Sequence, residues 1–343
     1  MCRIAGIIDP GSGVHLIREK VGVMCQALQH GGPDDEGMFY DETTHLVFGH
    51  RRLSIIDLSA NGHQPMADVD KKVWITFNGE IYNYLEIRNE LLMLGVHFNS
   101  VTDTEVIIAA YLQWGTQAFA RLRGMFAFAL FDSIRGLTYL VRDTAGIKPA
   151  YYAAQNGRLS FASEVRAFAA AGLETLPDTS WPIRFLAFGH IPEPYTTLKN
   201  VFSLPKGHYL RWDHTSATYV IKSYQQAATD AQITDIDEAR RLIRDTLVKS
   251  VNRQMIADAP LGVFLSGGID SSLITLLADK EKKQQLKTIS IFFSEKNYDE
   301  QPYQRVVLDK VSGQNFSHLV KQQDFENYLP KIIGAMDMPT TDG

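Results

Sequence analysis

The sequence predicts two successive fold classes, α+β and then α/β, and three observations support this prediction. The chain has 343 residues, which exceeds the ~250 to 300 at which a single hydrophobic core stops growing. Short β-type runs dominate residues 1–215, whereas strands and helices alternate over residues 236–343. Hydrophobic residues at 45% and charged residues at 21% are typical of a globular protein. We therefore expect two domains.

The first region combines several strand patterns with two helical ones. Apolar residues recur at intervals of three and four over residues 84–94 and 104–114, which predicts two helices. Grouped strands with helices between them favour sheets covered by helices over a strict βαβ alternation. The predicted strands include residues 45–48, 73–77, 126–131 and 137–141.

The second region has the rhythm of a doubly wound parallel sheet. After a helix of mixed charge at residues 236–255, strands at 261–265 and 286–293 alternate with helices at 270–280 and 301–311. A polar stretch with few periodic signals precedes this region. We interpret residues 216–235 of that stretch as a connector between the domains.

The bulk composition excludes several classes of partner. The net charge of -5 argues against binding to nucleic acid, which needs a clustered basic excess. The longest apolar run, residues 125–131, is far shorter than the ~20 residues of a membrane span. No apolar signal core follows Met1. With only Cys2 and Cys25, a disulfide framework is implausible, and a cytoplasmic location is expected.

Cys2 is the first candidate for chemistry. If Met1 is removed, the free α-amine lies beside the Cys2 thiol, and its pKa of about 7.7 to 8.0 lets it accept the thiol proton. An incidental terminal thiol is the alternative that this residue alone leaves open. Cys25 has helical spacing with neighbouring apolar residues, which favours a packed core thiol.

Three further polar elements are ambiguous when each is taken alone. Asn78-Gly79 is a strong hairpin-turn signal, yet a side-chain amide beside a glycine N–H also suits an oxyanion hole. Arg52 could be a charge on an edge strand. Asp103 could be an ordinary helix N-cap.

Taken together, these elements resemble the class II glutamine amidotransferases. The resemblance rests on Cys2 followed in order by GHRRLSIID, FNGEIYN, TDTE, RGMFAFALFD and RDTAGIKP. It implies an αββα sandwich of the N-terminal-nucleophile type, in which Cys2 attacks glutamine through a thioester while Asn78 and Gly79 stabilise the oxyanion. The sequence departs from the family pattern RDRFGIKPLYY at Thr144 and Ala145.

The same resemblance implies a glutamine-binding set. Arg52 would pair with the α-carboxylate, as suits a planar, two-pronged cation. Asp103 and Glu80 would hold the α-ammonium group. Leu53 and Ile55 occupy positions that contact glutamine partly through the backbone.

A second motif, PLGVFLSGGIDSSLI, spans residues 260–274. It runs from an apolar strand through a glycine turn into a helix, where backbone N–H groups and hydroxyls could form an anion cradle. It is neither a Walker A loop nor a GxGxxG fingerprint. A purely structural glycine turn is the alternative.

This motif resembles the pyrophosphate loop of ATP pyrophosphatases. The resemblance implies that Asp270 helps to bind Mg²⁺ and that Leu265 and Ile291 contact the adenosine. Residues 298–300 and 337–339 also resemble family landmarks, although Met338 replaces the usual Glu or Gln. The implied ATP-binding residues are Leu265, Ser266, Gly267, Gly268, Asp270, Ser271, Ser272 and Ile291.

A glutaminase followed by SGGIDSS is the layout of the glutamine-hydrolysing asparagine synthetases. This resemblance implies that ammonia from glutamine attacks a β-aspartyl-adenylate to give asparagine, AMP and pyrophosphate. It also implies glutamine and aspartate as substrates and allows a homodimer. Relatives continue with a segment resembling LSGxGxDE, which is absent before Gly343, so we expect an incomplete synthetase domain. The open alternatives are another carboxylate acceptor, such as a sugar acid, a fragment with glutaminase activity alone, or a non-catalytic remnant.

Overall fold

The computed structural model describes residues 2–173, 176–225, 232–281, 286–295 and 299–341. It divides into two compact units. The first contains Met1–Ala227 together with Asp337–Gly343, and the second contains Ala228–Met336.

The first unit is built on two six-stranded antiparallel sheets. Its strands in chain order are β1 (Arg3–Ile8), β2 (Asp35–Asp41), β3 (Leu46–Arg52), β4 (Met66–Ala67), β5 (Val73–Ile81), β6 (Gly124–Asp132), β7 (Leu137–Arg142), β8 (Tyr151–Gln155), β9 (Arg158–Ala162), β10 (Phe202–Ser203), β11 (His208–Asp213) and β12 (Thr218–Ser223). Its helices are α1 (Val14–Ala27), α2 (Tyr84–Met93), α3 (Asp103–Trp114), α4 (Arg166–Ala170) and α5 (Trp181–Phe188). The first sheet has the order β10-β8-β9-β1-β3-β2 and the second β12-β11-β7-β6-β5-β4.

Alternation along β1 explains how the layers stack. Ile4 and Ile8 point into an apolar cluster shared with the second sheet, which contributes residues such as Phe131. The intervening Ala5 and Ile7 point the other way, into a cluster with α1 and α4. Because successive side chains of a strand face opposite sides, one strand serves both layers. Helix α3 lies along β5, and α2 lies against α3, so the predicted αββα sandwich is confirmed.

The predicted strands 45–48, 73–77, 126–131 and 137–141 coincide largely with β3, β5, β6 and β7, and the predicted helices with α2 and α3. The longest apolar run lies inside β6, whose last seven residues are all buried. Among the residues that the structure describes, no helix combines the length and apolar character that crossing a membrane requires.

Two local predictions were wrong. Asn78-Gly79 is not a turn, because β5 continues through it and pairs residue by residue with β6, placing Asn78 opposite Ala127 and Gly79 opposite Phe126. Part of the predicted connector 216–235 is strand β12, which pairs with β11 along its whole length. The strand is largely exposed, and its run Tyr219-Val220-Ile221 was a usable β-type signal in the sequence. Residues 226–231 of that connector lie outside the described residues.

The buried carboxylate of Asp143 organises the loop after β7. It accepts hydrogen bonds from four backbone N–H groups, those of Phe126 (3.1 Å), Ala145 (3.0 Å), Ile147 (3.0 Å) and Lys148 (2.9 Å). Ala145, which departs from the family pattern, therefore takes part in this loop through its backbone N–H. Its side chain is exposed, as is that of Thr144. The departures from the family pattern leave the loop intact.

The second unit contains a parallel sheet with helices between its strands. In chain order its elements are α6 (Ile236–Gln254), β13 (Gly262–Phe264), α7 (Ile269–Glu281), β14 (Lys287–Phe293), α8 (Gln301–Leu308), β15 (Gln314–Val320) and α9 (Gln322–Ala335). The strand order is β13-β14-β15, and both pairings are parallel. The predicted βαβ rhythm is confirmed.

We expect Asp143→Ala to destabilise the first unit by about 3 kcal/mol or more, because buried N–H groups that lose their acceptor cost ~1 to 3 kcal/mol each. Chemical denaturation measures this difference. Asp213→Ala is the matched control, because Asp213 accepts N–H groups of Thr215 (2.9 Å) and Ser216 (3.1 Å) in an exposed turn. Equal stability of the two variants would contradict the role of Asp143.

Candidate active site

One cavity in the first unit brings together all eight predicted glutaminase residues. They come from four separate stretches of chain: the start of β1, the end of β3 with its following loop, the middle of β5, and the start of α3. The residues in question are Cys2, Arg52, Leu53, Ile55, Asn78, Gly79, Glu80 and Asp103.

Cys2 lies just before β1, where it meets the chain that leaves β3. The N–H of Leu53 donates to Cys2 Sγ at 3.3 Å, and Sγ lies 3.4 Å from the Leu53 carbonyl oxygen. Burial raises the pKa of the thiol, while the Leu53 N–H opposes that shift. Cys2 is thus held mostly as a thiol, so its reaction requires a base. Cys25 is fully buried in the apolar cluster with α1, as predicted.

The buried guanidinium of Arg52 is fixed by the loop that follows β3. It donates to the carbonyl oxygens of Ser59 (2.9 Å), Ile56 (3.5 Å) and Asp57. These contacts occupy at most three of its five N–H groups, so donors remain for a ligand in the cavity. A Cβ on Gly62 would lie 1.8 Å from Arg52 Nη2, which requires glycine there.

Asn78 carries a buried amide that lacks a protein partner. Neither Nδ2 nor Oδ1 has a hydrogen bond among the described residues, although the residue is fully buried. An unsatisfied buried amide costs free energy and calls for an explanation. The neighbouring Gly79 is pressed against β6, because a Cβ there would lie 2.2 Å from the Met125 carbonyl oxygen. A rigid donor thus faces the cavity beside a backbone that cannot carry a side chain.

Asp103 and Glu80 place two carboxyls in the same cavity. Asp103 Oδ2 accepts the N–H of Ile81 at 3.0 Å, and burial raises the pKa of Asp103 to about 7, with the charge of Glu80 adding to the shift. Burial also raises the pKa of Glu80. The cap of α3 is Thr102, whose hydroxyl accepts the N–H of Glu105, so the N-cap alternative for Asp103 was wrong. Asp103 is buried and Glu80 is half-buried, and two neighbouring carboxyls in one cavity suit a positively charged ligand.

Three residues that were not predicted line the same cavity: Gln64, Thr104 and Lys148. Gln64 accepts the Phe77 N–H at 2.7 Å and donates to Thr104 Oγ1 at 3.2 Å, so it fixes β5 against the first turn of α3. Burial lowers the pKa of Lys148, and the negative charge of Glu80 opposes this effect. RDTAGIKP was a usable signal for Lys148, whereas Gln64 stands in no motif that sequence reasoning had singled out.

The glycine turn of the second unit joins β13 to α7. Ser266 Oγ and Ser271 Oγ are 3.0 Å apart, and the hydroxyls of Ser271 and Ser272 donate to the Gly268 carbonyl oxygen at 3.1 and 2.7 Å. Gly267 has φ +95°, and a Cβ there would lie 3.1 Å from the Glu300 carbonyl oxygen. The structure thus places exposed hydroxyls beside the N-terminus of a helix, an arrangement that suits an anion.

The remaining predicted ATP residues differ in exposure. Ile291 is half exposed on β14, and its carbonyl oxygen accepts a hydrogen bond from Gln304 Nε2 at 2.8 Å. Leu265 is buried, which leaves its side chain in the interior. Asp270 is exposed in the first turn of α7. In the described part of the chain no three or more His, Cys, Asp or Glu side chains cluster as metal ligands, but Mg²⁺ on nucleotide phosphates needs only one or two carboxylates, so Asp270 fits.

The two landmark segments are residues 298–300 and 337–339. Tyr298 of the first lies outside the described residues, and Asp337 of the second belongs to the first unit. Asp337 accepts the N–H groups of Val165 and Arg166 at 2.6 and 2.8 Å, and Met338 packs against the apolar cluster with α1.

Comparisons with known proteins agree with these two regions. The glutamine amidotransferase domain family matches residues 1–225, and the asparagine synthase family matches residues 242–343. Asparagine synthetase [glutamine-hydrolyzing] 1 of Bacillus subtilis is 37% identical, covering 100% of this chain and 54% of that protein. Putative asparagine synthetase [glutamine-hydrolyzing] 2 of Methanocaldococcus jannaschii is 35% identical, covering 100% and 69%. Amidase chry2 of Gibberella zeae is 32% identical, covering 78% and 40%.

The chain thus spans about half the length of the Bacillus relative. A solved glutamine phosphoribosylpyrophosphate amidotransferase of Bacillus subtilis has a TM-score of 0.51 at 13% identity, covering 93% of this chain and 81% of that one. This likeness concerns the fold alone, and it confirms the expected glutamine amidotransferase fold. On the sequence matches, the chain belongs to the family of glutamine-hydrolysing asparagine synthetases.

Proposed function

We propose that the first unit hydrolyses glutamine at Cys2 and that the ammonia serves an ATP-driven amidation. The observation that carries the first part is the single cavity in which a thiol, a fixed guanidinium, an unpartnered amide and two carboxyls meet. These groups are complementary to every polar part of glutamine.

The proposed binding mode follows from charge. The Arg52 guanidinium, held by three loop carbonyls, presents its free N–H groups to the α-carboxylate. Asp103 and Glu80 hold the α-ammonium group, whose positive charge lets both carboxyls ionise. The two ends of the amino acid are then fixed, and the side-chain amide extends towards Cys2.

The chemistry proceeds in two steps. With Met1 removed, the α-amine of Cys2 takes the thiol proton, and Sγ bonds to the amide carbon of glutamine. The resulting oxyanion accepts hydrogen bonds from Asn78 Nδ2 and the Gly79 N–H. The amine returns its proton to the leaving nitrogen, so ammonia departs and a thioester remains. Water then adds to the thioester, which releases glutamate and restores the thiol.

For the second unit we propose that ATP binds at Ser266 to Ser272. The hydroxyls of Ser266, Ser271 and Ser272 and the start of α7 would hold phosphate oxygens, and Asp270 would hold Mg²⁺. When bound, ATP supplies the adenylate that activates the acceptor carboxylate. Membership of the asparagine synthetase family supports aspartate as that acceptor. The two cysteines in so long a chain favour a cytoplasmic location, and we propose a homodimer as the assembly.

A second candidate retains the same reaction with a different carboxylate. It is supported by the relatives named as amidases in Gibberella zeae and Penicillium rubens, which cover 78% and 73% of this chain.

We expect Cys2→Ala to lower glutamate release at least ~10³-fold, because the remaining groups cannot replace a nucleophile. An enzymatic assay of glutamate measures the rate. Cys25→Ala is the matched control: that thiol is buried in the core, so the variant should keep the rate and lose roughly 1 kcal/mol of stability. A Cys2→Ala protein with an undiminished rate would exclude Cys2 as nucleophile.

Asp103 should set the pH dependence of glutamine binding. Since its pKa is raised to about 7, KM for glutamine should rise as the pH falls below about 7. Asp103→Asn should raise KM ~10- to 100-fold, the equivalent of the ~1.5 to 3 kcal/mol of a hydrogen bond to a charged group. Asp103→Asn should also abolish the rise in KM at acidic pH. If KM of the variant still rises below about pH 7, another group is responsible for that pH dependence.

The same shift has a consequence for folding. The native carboxyl binds its proton more tightly than the unfolded one, whose value is 3.8, so the stability it contributes is present below that value and is lost as the pH rises through about 7. At pH 8 Asp103→Asn should therefore unfold at a higher temperature than the unmutated protein.

Pyrophosphate release tests the ATP half. In a full-length version supplied with glutamine, ATP and Mg²⁺, aspartate should stimulate pyrophosphate release, and Gly267→Ala should abolish it without affecting glutamate release, because φ +95° disfavours alanine. Gly334→Ala is the control, since a Cβ there meets nothing within 4 Å. Release with a sugar acid but not with aspartate would identify a different acceptor.

A further inference from the structure

A cluster of charged side chains lies next to Cys2 but outside the cavity. At its centre is Glu164, which follows β9 and whose side chain is only 7% exposed. Two arginines and a histidine surround it: Arg3 Nε at 2.6 Å, His30 Nε2 at 2.9 Å and Arg166 Nε at 3.0 Å. None of these residues lines the glutaminase cavity, and the proposed chemistry does not use them.

The cluster touches the nucleophile through Arg3. Arg3 Nη1 donates to the carbonyl oxygen of Cys2 at 3.1 Å. Cys2 precedes the first paired residue of β1, so the sheet ladder does not fix its carbonyl group. With Met1 removed, Cys2 is a chain end: the Arg3 contact fixes its carbonyl group, while Leu53 contacts its thiol, so both contacts position the residue.

The Arg3 side chain is itself closely confined. A Cβ on Gly31 would lie 2.6 Å from Arg3 Cγ, so the 29–31 turn packs directly on it. The short pair with Glu164 then fixes where its guanidinium points. A buried carboxylate depends on its partners: Glu164 Oε1 also pairs with His30, and the Arg166 guanidinium lies beside Oε2 as a neighbouring positive charge.

Asp337 fixes the other side of Glu164. Its carboxylate accepts the N–H groups of Val165 and Arg166 and lies 3.4 Å from Arg166 Nε. It therefore binds both the backbone that directly follows Glu164 and one of the cations on Glu164. Burial raises the pKa of Asp337, and these two N–H groups oppose the shift.

The segment that carries Asp337 is anchored in the first unit. Met338 packs in the apolar cluster with α1. Thr340 forms a bridge with His190, and the Thr341 N–H donates to the Gly189 carbonyl oxygen at 2.9 Å. Asp337 is thus a fixed part of the surroundings of Glu164, although it is 172 residues away from Val165 in sequence.

We propose that Glu164 and Asp337 are positioning residues for glutamine hydrolysis, acting through Arg3 on the backbone of Cys2. Asp337 holds the turn at residues 165–166, that turn and Arg166 hold Glu164, and Glu164 holds the guanidinium that fixes the Cys2 carbonyl. This inference rests on the proposed glutaminase function and assigns it two residues that touch neither substrate nor thiol.

Steady-state kinetics of Asp337→Asn and Glu164→Gln test the proposal. Both should lower kcat for glutamate release about 10-fold, within the ~100-fold that a 1 Å misplacement can cost. KM for glutamine should stay within about twofold, because the residues that hold glutamine are unchanged. Asp178→Asn is the matched control: it removes the charge from a carboxylate of the same unit that pairs with Arg184 (2.5 Å) and accepts the Ser180 N–H (2.9 Å), and kcat should not change.

A double-mutant cycle separates positioning from a general loss of structure. If Asp337 acts through Arg3, then Arg3→Met combined with Asp337→Asn should be no slower than the slower single variant, because the same contact is already lost. The proposal would be overturned if the reduction in kcat of the double variant equalled the product of the two single reductions. It would also be overturned if kcat of Asp337→Asn equalled that of the unmutated protein.

Alkylation of Cys2 by iodoacetamide, followed by mass spectrometry of the N-terminal peptide, provides a readout without glutamine. Glu164→Gln and Asp337→Asn should slow it several-fold, while Asp178→Asn should not. If the unmutated protein hydrolyses no glutamine but the alkylation rates differ in this way, the proposed function fails and the positioning network stands. Equal alkylation rates in all variants would overturn the network.

Discussion

The antiparallel pairing of β1 with β3 is the constraint on which the glutaminase site depends. The register places Arg3 opposite Arg51, so Cys2, one residue earlier, arrives beside the chain that continues from β3 into Arg52 and Leu53. The thiol and the guanidinium are 50 residues apart in sequence, and only this ladder unites them. A slip of one residue would turn both strands' side chains to the wrong faces.

The second sheet supplies the rest of the site by the same means. Pairing of β5 with β6 holds Asn78 and Gly79 in an extended strand, and Gln64 ties that strand to the first turn of α3, where Asp103 lies. The apolar layer between the two sheets then fixes the distance between their polar ends. The cavity is therefore a property of the sandwich, and no single loop contains it.

Several polar groups of the cavity are arranged for binding a ligand, at a cost to the stability of the fold. Asp103 is buried and Glu80 is half-buried, both with raised pKa values, and the amide of Asn78 has no partner among the described residues. Each of these groups costs free energy until a ligand with an ammonium group and a carbonyl oxygen arrives. Asp143 shows the contrasting case, a buried carboxylate satisfied by four N–H groups, which supports the loop that carries Lys148.

The sequence by itself determined the order of fold classes and the main strands and helices, because alternation and helical spacing are local properties of the chain. The order of its motifs, through the family resemblance, also indicated eight residues that line the cavity. Only the tertiary structure decided that Asn78-Gly79 lies in a strand, since the partner strand β6 overrides the turn preference of the pair. It also decided that Gln64 and Lys148 line the cavity, and that Asp337 lies against α4 in the first unit. These outcomes depend on contacts between distant parts of the chain, which local patterns do not encode.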